Sequence, residues 1–322
     1  MFRNLKVGVL VPAFNEERLI TRTLAGMPPL VDRILVIDDG SRDQTATLAE
    51  STGDPRIEVI RHGVNRGLGQ ALASGYRRGA ELSEIDVWVV MASDNQMDPA
   101  DLPAVITPIA DGHALYVKGN RLFYPGVQNV MPRHRFLGNA ALTLLTKFAT
   151  GYFHLVDPQC GYTAIHKDAL RYLDLENPHK GYGYNAHLLM QLNLYNVPVV
   201  DVPVRPVYGD EVSKIRLASY IPRVSALLIR CTFNRIVFKY LVRDFHPAGI
   251  AYAVSLVAWP VAVWSGLVLL VRRLSEIHQP LGLDMLPTLL LFMLSSLAGA
   301  MLLLAAIWMD IEYSRSRRAS LA

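Results

Sequence analysis

Charged residues are missing from two long stretches near the C-terminus of this 322-residue chain. Residues 247–271 and residues 285–309 each contain 25 consecutive positions without Asp, Glu, Lys or Arg. A helix rises about 1.5 Å per residue, so about 20 apolar residues cross the ~30 Å hydrocarbon core of a bilayer. Soluble core helices are usually shorter and amphipathic, whereas these stretches are apolar on all faces. The sequence therefore predicts two transmembrane helices rather than two buried helices of a soluble core.

Cysteine is almost absent, because only Cys160 and Cys231 occur. Two cysteines are too few for a disulfide framework and fit a reducing compartment. A signal peptide is not indicated either, since residues 1–6 lead directly into a short strand-like run rather than a long apolar segment. These absences argue against a secreted, disulfide-stabilised protein.

Acidic residues are absent from positions 212–243, which contain seven basic residues. Three of these, Arg216, Arg223 and Arg230, recur every seven residues with apolar side chains between them. At about 3.6 residues per turn, this spacing separates a basic stripe from an apolar stripe. The pattern favours an amphipathic helix in an anionic lipid headgroup layer, and the alternative is a solvated helix packed on a soluble domain. Nucleic acid is not expected as a partner, because the chain continues directly into a membrane span.

Basic residues also predict the orientation in the membrane. Six of them flank the two spans on their outer sides: Arg235, Lys239, Arg243, Arg315, Arg317 and Arg318. The loop between the spans has only Arg272 and Arg273, which are offset by Glu276 and Asp284. Basic residues concentrate on the cytoplasmic side of membrane proteins. We therefore expect an integral protein of the cell (inner) membrane, with its N-terminal domain and both termini in the cytoplasm.

Residues 1–120 alternate between short apolar runs and helix-like stretches. Four runs rich in Val and Ile predict strands, at residues 7–11, 33–37, 57–60 and 87–91. Three stretches between them suit helices, at residues 16–26, 44–51 and 69–82. Such alternation predicts an α/β domain with a mostly parallel sheet and helices on both faces. Ligands of such sheets bind beyond the carboxyl ends of the strands, where this sequence has polar clusters.

The polar clusters resemble one known family when they are taken in order. The segments are VPAFNEE, VIDDGSRDQT, NRGLGQAL, SDNQMDP, KGNR, DPQCGYTAI and VPVRPVYGDEVSK. They resemble the family 2 glycosyltransferases with the GT-A fold, particularly the polyprenyl-phosphate sugar synthases related to dolichol-phosphate mannose synthase. The resemblance covers roughly residues 5–240. It implies a Rossmann-like GT-A catalytic domain over residues 1–215, amphipathic interface helices over 216–246 and a two-helix transmembrane hairpin with a short basic tail over 247–322.

The resemblance implies a nucleotide-sugar at the strand ends. Asp38 and Asp39 would accept hydrogen bonds from the base and the ribose, and Pro12 and Phe14 would form a wall for the base. Glycines in residues 65–69 would allow a close backbone approach, because a Cβ would clash there. Glu17 is an alternative to Glu16 in the nucleotide-contacting loop. The implied donor-binding residues are Pro12, Phe14, Asn15, Glu16, Asp38, Asp39, Gly67, Ser93 and Asp94.

The predicted metal site departs from the family pattern. In the resembled synthases the fourth strand ends in Asp-x-Asp-x-Gln, but here Ala92 stands at the position of the first acid. Asp94 and Gln96 remain as predicted ligands of Mg²⁺ or Mn²⁺, because hard divalent ions accept one or two carboxylates together with phosphate and water. Asp98 either assists them or caps a helix that has Pro99 at its first position, and the cap is the favoured interpretation.

The acceptor side is implied by basic residues. Arg121, Arg133 and Arg135 match family positions that contact phosphates, and a guanidinium suits bidentate phosphate binding. Ser213 and Lys214 resemble the acceptor-side loop. The predicted acceptor-phosphate residues are Arg133, Arg135, Ser213 and Lys214. The predicted catalytic residues are Asp94, Arg121, Arg135 and Asp157, of which Asp157 would orient the sugar or the acceptor.

The function implied is inverting transfer of one sugar from a UDP- or GDP-sugar to undecaprenyl or dolichyl phosphate. A phosphate monoester has its second pKa near about 6 and is largely ionised at neutral pH, so it needs no general base. One alternative is transfer to a hydroxyl of a lipid-linked saccharide, with Asp157 as the base, and another is a noncatalytic GT-A scaffold. A processive polysaccharide synthase is disfavoured, because its Gln-x-x-Arg-Trp motif is missing. The expected partners are the nucleotide-sugar, polyprenyl phosphate and the bilayer, and a homo-oligomer remains open.

Overall fold

The computed structural model describes residues 1–124, 133–181, 183–206, 217–275 and 285–319, without the side chains of 133–141, 217–220 and 317–319. The chain divides into two compact units, Met1–Thr232 and Phe233–Ala319. The predicted domain boundary at residue 215 lies outside the described residues. The first unit nevertheless includes residues 217–232, which the sequence places in a separate interfacial segment.

Seven strands of the described chain form one mixed sheet in the order β3-β2-β1-β4-β6-β5-β7. The strands are β1 Val7–Ala13, β2 Arg33–Asp38, β3 Ile57–Arg61, β4 Val87–Val90, β5 Tyr116–Asn120, β6 Thr163–His166 and β7 Val199–Pro203. Strand β6 is antiparallel to both of its neighbours, and the other pairs are parallel. The mostly parallel α/β sheet predicted from the sequence is confirmed.

Helices cover both faces of the sheet because strand residues alternate between two apolar cores. In β1, Val9 enters one core and Leu10 the other, as the two-residue period of a strand requires. The helices of the first unit are α1 Ile20–Ala25, α2 Thr45–Glu50, α3 Leu68–Glu81, α4 Leu102–Ala110, α5 Arg133–Thr150, α6 Lys167–Leu170, α7 Tyr184–Leu194 and α8 Leu217–Asn234. The core of Val9 includes α1 and α4, and the core of Leu10 includes α3 and α7.

The first helix begins later than the sequence predicts. The expected helix over residues 16–26 is observed as Ile20–Ala25, because the backbone of residues 15–17 bonds across to the loop after β2. The amide of Glu16, for example, donates to Thr45 Oγ1 at 2.8 Å. The other predicted strands and helices of residues 1–91 are found within one or two residues of their expected bounds.

The topology brings the predicted functional segments to one edge of the sheet. The parallel strands β1, β2 and β4 end there, and so does β5, which runs parallel to β4 because β6 is antiparallel to both. The segment that precedes β6 starts from the same edge for the same reason. Residues from five different parts of the sequence therefore meet at this edge.

Helix α8 packs its apolar stripe onto the first unit. Val224, Leu227, Leu228 and Cys231 are buried together with residues of α5 and α7. The stripe that the sequence predicts to face lipid headgroups therefore faces protein, as in the alternative interpretation. Outside this stripe the helix exposes both apolar and basic side chains: Ile221, Arg223, Ile229 and Arg230.

The second unit contains a π-helical segment, Arg235–Arg243, followed by α9, Pro247–Ser275, and α10, Leu286–Ala319. Two stretches, Pro247–Ser275 and Leu286–Ser316, are long and apolar enough to cross a membrane. Only 17% and 11% of their most apolar windows are buried within the protein. A core helix of a soluble protein would be largely covered, so the exposed apolar surface indicates a membrane-associated protein.

Candidate functional site

The carboxylate of Asp39 lies at the centre of the loops that follow β2 and β3. It is 4% exposed. Its Oδ1 accepts from the amide of Arg66 at 2.9 Å and contacts Nδ1 of His62 at 2.8 Å, and its Oδ2 accepts from the amide of Gly67 at 2.8 Å. Asp39 is thus engaged by protein donors, and its direct action is to hold residues 62–67 in place.

The glycines at the end of this loop and at the start of α3, Gly67 and Gly69, make room for protein. A Cβ on Gly67 would lie 2.5 Å from the carbonyl oxygen of Lys180, and one on Gly69 would overlap the carbonyl oxygen of His179. Gly67 also has a φ of +92°, which side-chain-bearing residues rarely adopt. The close approach predicted for these glycines is real, but the neighbour is the segment that precedes α7.

Side-chain bonds connect the loop after β1 to the loop after β2. The amide of Asn15 donates to Ser41 Oγ at 3.0 Å, and the amide of Arg42 donates to Asn15 Oδ1 at 2.9 Å. Asn15 has a φ of +56°, which asparagine tolerates better than most residues. The side-chain carbonyl of Asn15 therefore positions the second loop, and the residue itself is exposed.

Phe14 and Pro12 differ in their accessibility. Phe14 is 42% exposed, as a wall for a planar base requires, whereas Pro12 is buried and its carbonyl accepts from Ser93 Oγ at 2.9 Å. Ser93 therefore connects the ends of β1 and β4. Asp38 is also buried and accepts from the amide of Ser41 at 3.2 Å. Of these predicted nucleotide-binding residues, Phe14 presents the most surface.

The loop after β4 has the geometry of a tight turn around Asp94. The carboxylate of Asp94 accepts from the amide of Gln96 at 3.0 Å, and Asn95 between them has a φ of +58°. The amide of Ala92 donates to the sulfur of Met97 at 3.3 Å, which closes the loop. Asp94 and Gln96 thus lie within one turn, and their side chains carry a carboxylate and an amide group.

Asp98 caps the following helical turn, as the sequence favours. Its Oδ1 accepts from the amide of Ala100 at 2.9 Å, with Pro99 at the first position of a 3₁₀ turn. Its Oδ2 pairs with Arg205 at 2.9 Å. The capping interpretation is confirmed, and both oxygens have protein partners.

Arg121 and Asp157 form a bidentate ion pair. Arg121 Nε donates to Asp157 Oδ2 at 2.8 Å and Nη2 donates to Oδ1 at 3.1 Å. The side chain of Asp157 is 5% exposed and that of Arg121 is 31% exposed, so the guanidinium extends from a buried carboxylate toward solvent. The pair fixes the plane of the guanidinium at the end of β5.

The side chains of Lys118 and Asp201 hold the segments that carry this pair. Lys118 is completely buried, and its Nζ donates to the carbonyl of Cys160 at 2.7 Å. Burial lowers the pKa of Lys118 to about 8, and the negative charge of Asp157 opposes that shift. Asp201 accepts from the amide of Val156 at 2.9 Å and from Asn120 at 2.8 Å, which joins β5 and β7 to the segment before Asp157.

The stability of the protein is expected to depend on Lys118 between about pH 8 and pH 10.5. The folded protein releases this proton near pH 8, whereas the unfolded chain retains it up to the usual pKa of 10.5. In that window the unfolded state binds more protons, so this group makes the free energy of unfolding rise with pH. The midpoint of thermal unfolding of wild type should therefore rise relative to Lys118→Met between about pH 7 and pH 10. If the difference in unfolding midpoint between wild type and Lys118→Met does not change with pH, the pKa of Lys118 is not lowered.

Four predicted residues cannot be placed. Ser213 and Lys214 lie outside the described residues, and the side chains of Arg133 and Arg135 do as well, so their acceptor-phosphate roles remain predictions. Conversely, sequence reasoning missed His62, Lys118 and Asp201 as parts of the site. His62 follows β3 directly, so the strand-end rule that selected Asp38 and Asp39 also points to it.

The sheet order and the acidic strand ends define a GT-A type of α/β domain. The family model for glycosyl transferase family 2 matches residues 8–173. The chain therefore belongs to glycosyl transferase family 2, as its motifs indicate.

Two relatives illustrate the similarity. The UDP-N-acetylglucosamine–dolichyl-phosphate N-acetylglucosaminyltransferase of Methanococcus voltae is 28% identical over 63% of this chain and 86% of its own length. The undecaprenyl-phosphate mannosyltransferase of Micrococcus luteus is 30% identical over 62% of this chain and 83% of its own length. Relatives of this chain are thus named as polyprenyl-phosphate sugar transferases.

Solved structures show the same fold. Glucosyl-3-phosphoglycerate synthase from Mycobacterium tuberculosis, in complex with Mn²⁺, UDP-glucose and phosphoglyceric acid, superimposes with a TM-score of 0.52. The match has 24% sequence identity and covers 72% of this chain and 80% of that chain. At this identity the match supports the GT-A fold alone.

Proposed function

We propose that this protein transfers one sugar from a nucleotide-sugar to polyprenyl phosphate at a membrane surface. The relatives named above act on dolichyl or undecaprenyl phosphate, according to their names. The two candidate membrane spans fit a lipid-linked acceptor. The fold supplies the donor side at the ends of β1, β2 and β4.

The observation that carries the proposal is the engagement of Asp157. Both of its carboxylate oxygens accept from Arg121, and Oδ2 also lies 3.3 Å from the amide of that residue. A hydroxyl acceptor would need a general base, whereas Asp157 is occupied as an orienting group. A phosphate monoester is already largely ionised at neutral pH and needs no base. The geometry favours a phosphate acceptor over a saccharide hydroxyl.

We propose an inverting single displacement in which the chain contributes positioning and charge. Arg121 stabilises negative charge on a phosphate, and Asp157 fixes the orientation of its guanidinium. The walls of the donor site hold the nucleotide, with Phe14 against the base. In-line placement of the acceptor oxygen and the sugar carbon then lowers the barrier.

A divalent cation, Mg²⁺ or Mn²⁺, fits the loop after β4. Within the described ranges, no group of three His, Cys, Asp or Glu side chains can hold a metal ion. Asp94 and Gln96 offer two hard oxygen ligands within one turn, which suits a cation whose other ligands are diphosphate oxygens and water. The bound cation would neutralise charge on the leaving diphosphate. The role of these two residues is to hold it at the end of β4.

We further propose that the first unit lies on the cytoplasmic side of the cell membrane. The flanking basic residues favour this orientation. The exposed surface of α8 includes Ile221, Ile229, Arg223 and Arg230, and apolar together with basic side chains suit an anionic lipid surface. This exposed surface, and not the buried stripe, is the part of α8 that would contact headgroups.

The test is a product assay with the full chain in detergent. Purified protein is incubated with a panel of UDP- and GDP-sugars and polyprenyl phosphate, with Mg²⁺, with Mn²⁺ or with a chelator, and lipid products are identified by mass. We expect one donor to yield a glycosyl phospholipid and the chelator to reduce its formation. Extension of a lipid-linked saccharide, without any glycosyl phospholipid, would instead identify the hydroxyl-transferring alternative. A lack of all products would favour the noncatalytic scaffold.

A further inference from the structure

His62 connects helix α3 to the carboxylate of Asp39. Its Nδ1 contacts Asp39 Oδ1 at 2.8 Å, and its Nε2 contacts Ser74 Oγ at 3.0 Å. The side chains of His62 and Asp39 are each 5% exposed. Both ring nitrogens therefore have partners, which fixes the ring in one orientation between β3 and α3.

The bonds continue from Asp39 into the backbone of the loop that precedes α3. The carboxylate accepts from the amides of Arg66 and Gly67, and Gly67 has a φ of +92°. The side chain of Arg66 is exposed on this loop. Ser74, His62, Asp39 and the two amides thus form one continuous chain of hydrogen bonds. The conformation of the loop depends on the orientation of the Asp39 carboxylate.

We infer that His62 is a positioning residue for the nucleotide-sugar donor. The inference rests on the proposed function, since it takes the strand-end loops as the donor site. His62 holds the Asp39 carboxylate so that both oxygens face the loop, and the loop then places the backbone and side chain of Arg66 at the donor side. Without the Nδ1 bond, a buried carboxylate loses a donor and reorients toward another one. The loop loses its anchor and binds the nucleotide more weakly.

The arrangement Asp39–His62–Ser74 has the bond pattern of a hydrolytic triad but not its surroundings. Ser74 lies within α3 (Leu68–Glu81), where nearby amides donate to carbonyls one turn earlier. These amides are therefore not available to stabilise the oxyanion of a substrate carbonyl that Ser74 would attack. Arg77 donates to the Ser74 hydroxyl at 3.3 Å, which occupies it further. The geometry serves to orient Asp39 rather than to activate a nucleophile.

Two amide substitutions of His62 separate its two bonds. In His62→Asn the side-chain nitrogen takes the place of Nδ1 and keeps the bond to Asp39, and in His62→Gln it takes the place of Nε2 and keeps only the bond to Ser74. We expect His62→Gln to weaken donor binding about tenfold or more, as the loss of a hydrogen bond to a charged group predicts. We expect His62→Asn to remain close to wild type. Ser74→Ala, which keeps the Asp39 bond, should cause a smaller loss than His62→Gln.

The measurements are the affinity for UDP and for GDP by calorimetry, the KM for the donor and for the acceptor, and kcat. His62→Gln should raise the donor KM with little change in the acceptor KM or in kcat, and thermal unfolding verifies that each variant is folded. The inference is wrong if the Asn and Gln variants bind the nucleotide equally, whether as well as wild type or equally poorly. It is also wrong if wild type binds neither UDP nor GDP. If wild type binds a nucleotide but forms no glycosyl phospholipid, the proposed acceptor is wrong, and the order of the affinities still decides the role of His62.

Discussion

Arg121→Ala is expected to lower kcat by about 100- to 1,000-fold, the loss seen when one charge-stabilising donor is removed from a transition state. The guanidinium is held at two points by Asp157 and its side chain is 31% exposed, which suits the proposed contact with a phosphate. Arg121→Lys should not restore the rate, because an ammonium group cannot bridge the two carboxylate oxygens in the same way. The measurement is the initial rate of glycosyl phospholipid formation at saturating donor and acceptor.

A double-mutant cycle separates the two possible roles of Asp157. If Asp157 acts only by orienting Arg121, Asp157→Asn lowers kcat in wild type but has little further effect in Arg121→Ala. If Asp157 is a general base, the two losses multiply, because each substitution removes an independent contribution. Multiplying losses would overturn the phosphate-acceptor proposal and support transfer to a hydroxyl.

Arg56 provides the matched control for Arg121. It forms a bidentate pair with Asp54 through Nε and Nη2, with a side chain that is 28% exposed. This pair precedes β3 and therefore lies at the opposite edge of the sheet from Arg121. Arg56→Ala should leave kcat within about twofold of wild type, because it removes a comparable pair away from the site. A loss as large as that of Arg121→Ala would indicate a general effect on folding.

Sequence reasoning predicted which segments meet at one edge of the sheet, because the signals for strand ends are local. Strands such as β1 and β2 are short apolar runs that end in polar residues, and the carboxyl ends of parallel strands collect at one edge. The family motifs predict that Asp94 and Arg121 lie at this edge. Asp98 was also interpreted correctly, since a cap followed by proline is encoded within three residues.

The direction of individual side chains could not be predicted, because it depends on packing between distant segments. The sequence predicts that Asp39 accepts hydrogen bonds from a ligand. Its partner His62 lies 23 residues further along the chain and reaches it only because β3 pairs with β2. Gly67 packs against Lys180, which is more than 100 residues away. The apolar stripe of α8 presents the same difficulty. Its spacing predicts that one face is buried but not whether lipid or protein covers it.

The second unit offers the largest expected effect on stability. Arg235 and Asp310 form two hydrogen bonds, at 2.8 and 2.9 Å, with both side chains 1% exposed. Asp310 also accepts from the hydroxyls of Tyr240 and Tyr252, so three side chains donate to one buried carboxylate. Removing one partner from such a pair leaves an uncompensated charge and costs about 3–5 kcal/mol.

Arg235→Leu should therefore lower the free energy of unfolding by about 3–5 kcal/mol, and Arg235→Leu/Asp310→Leu should recover part of that loss. The double variant removes both charges, and it leaves the hydroxyls of Tyr240 and Tyr252 to find other acceptors. The measurement is the midpoint of thermal unfolding in detergent, followed by tryptophan fluorescence at one heating rate. Arg243→Leu is the control, because Arg243 pairs with the adjacent Asp244 near the surface and such pairs contribute about 0–1 kcal/mol. If the double variant unfolds at the same temperature as Arg235→Leu, or below it, the cost does not come from an unpaired Asp310 charge. The segment from Arg235 to Arg243 would then be held in the second unit by its apolar contacts.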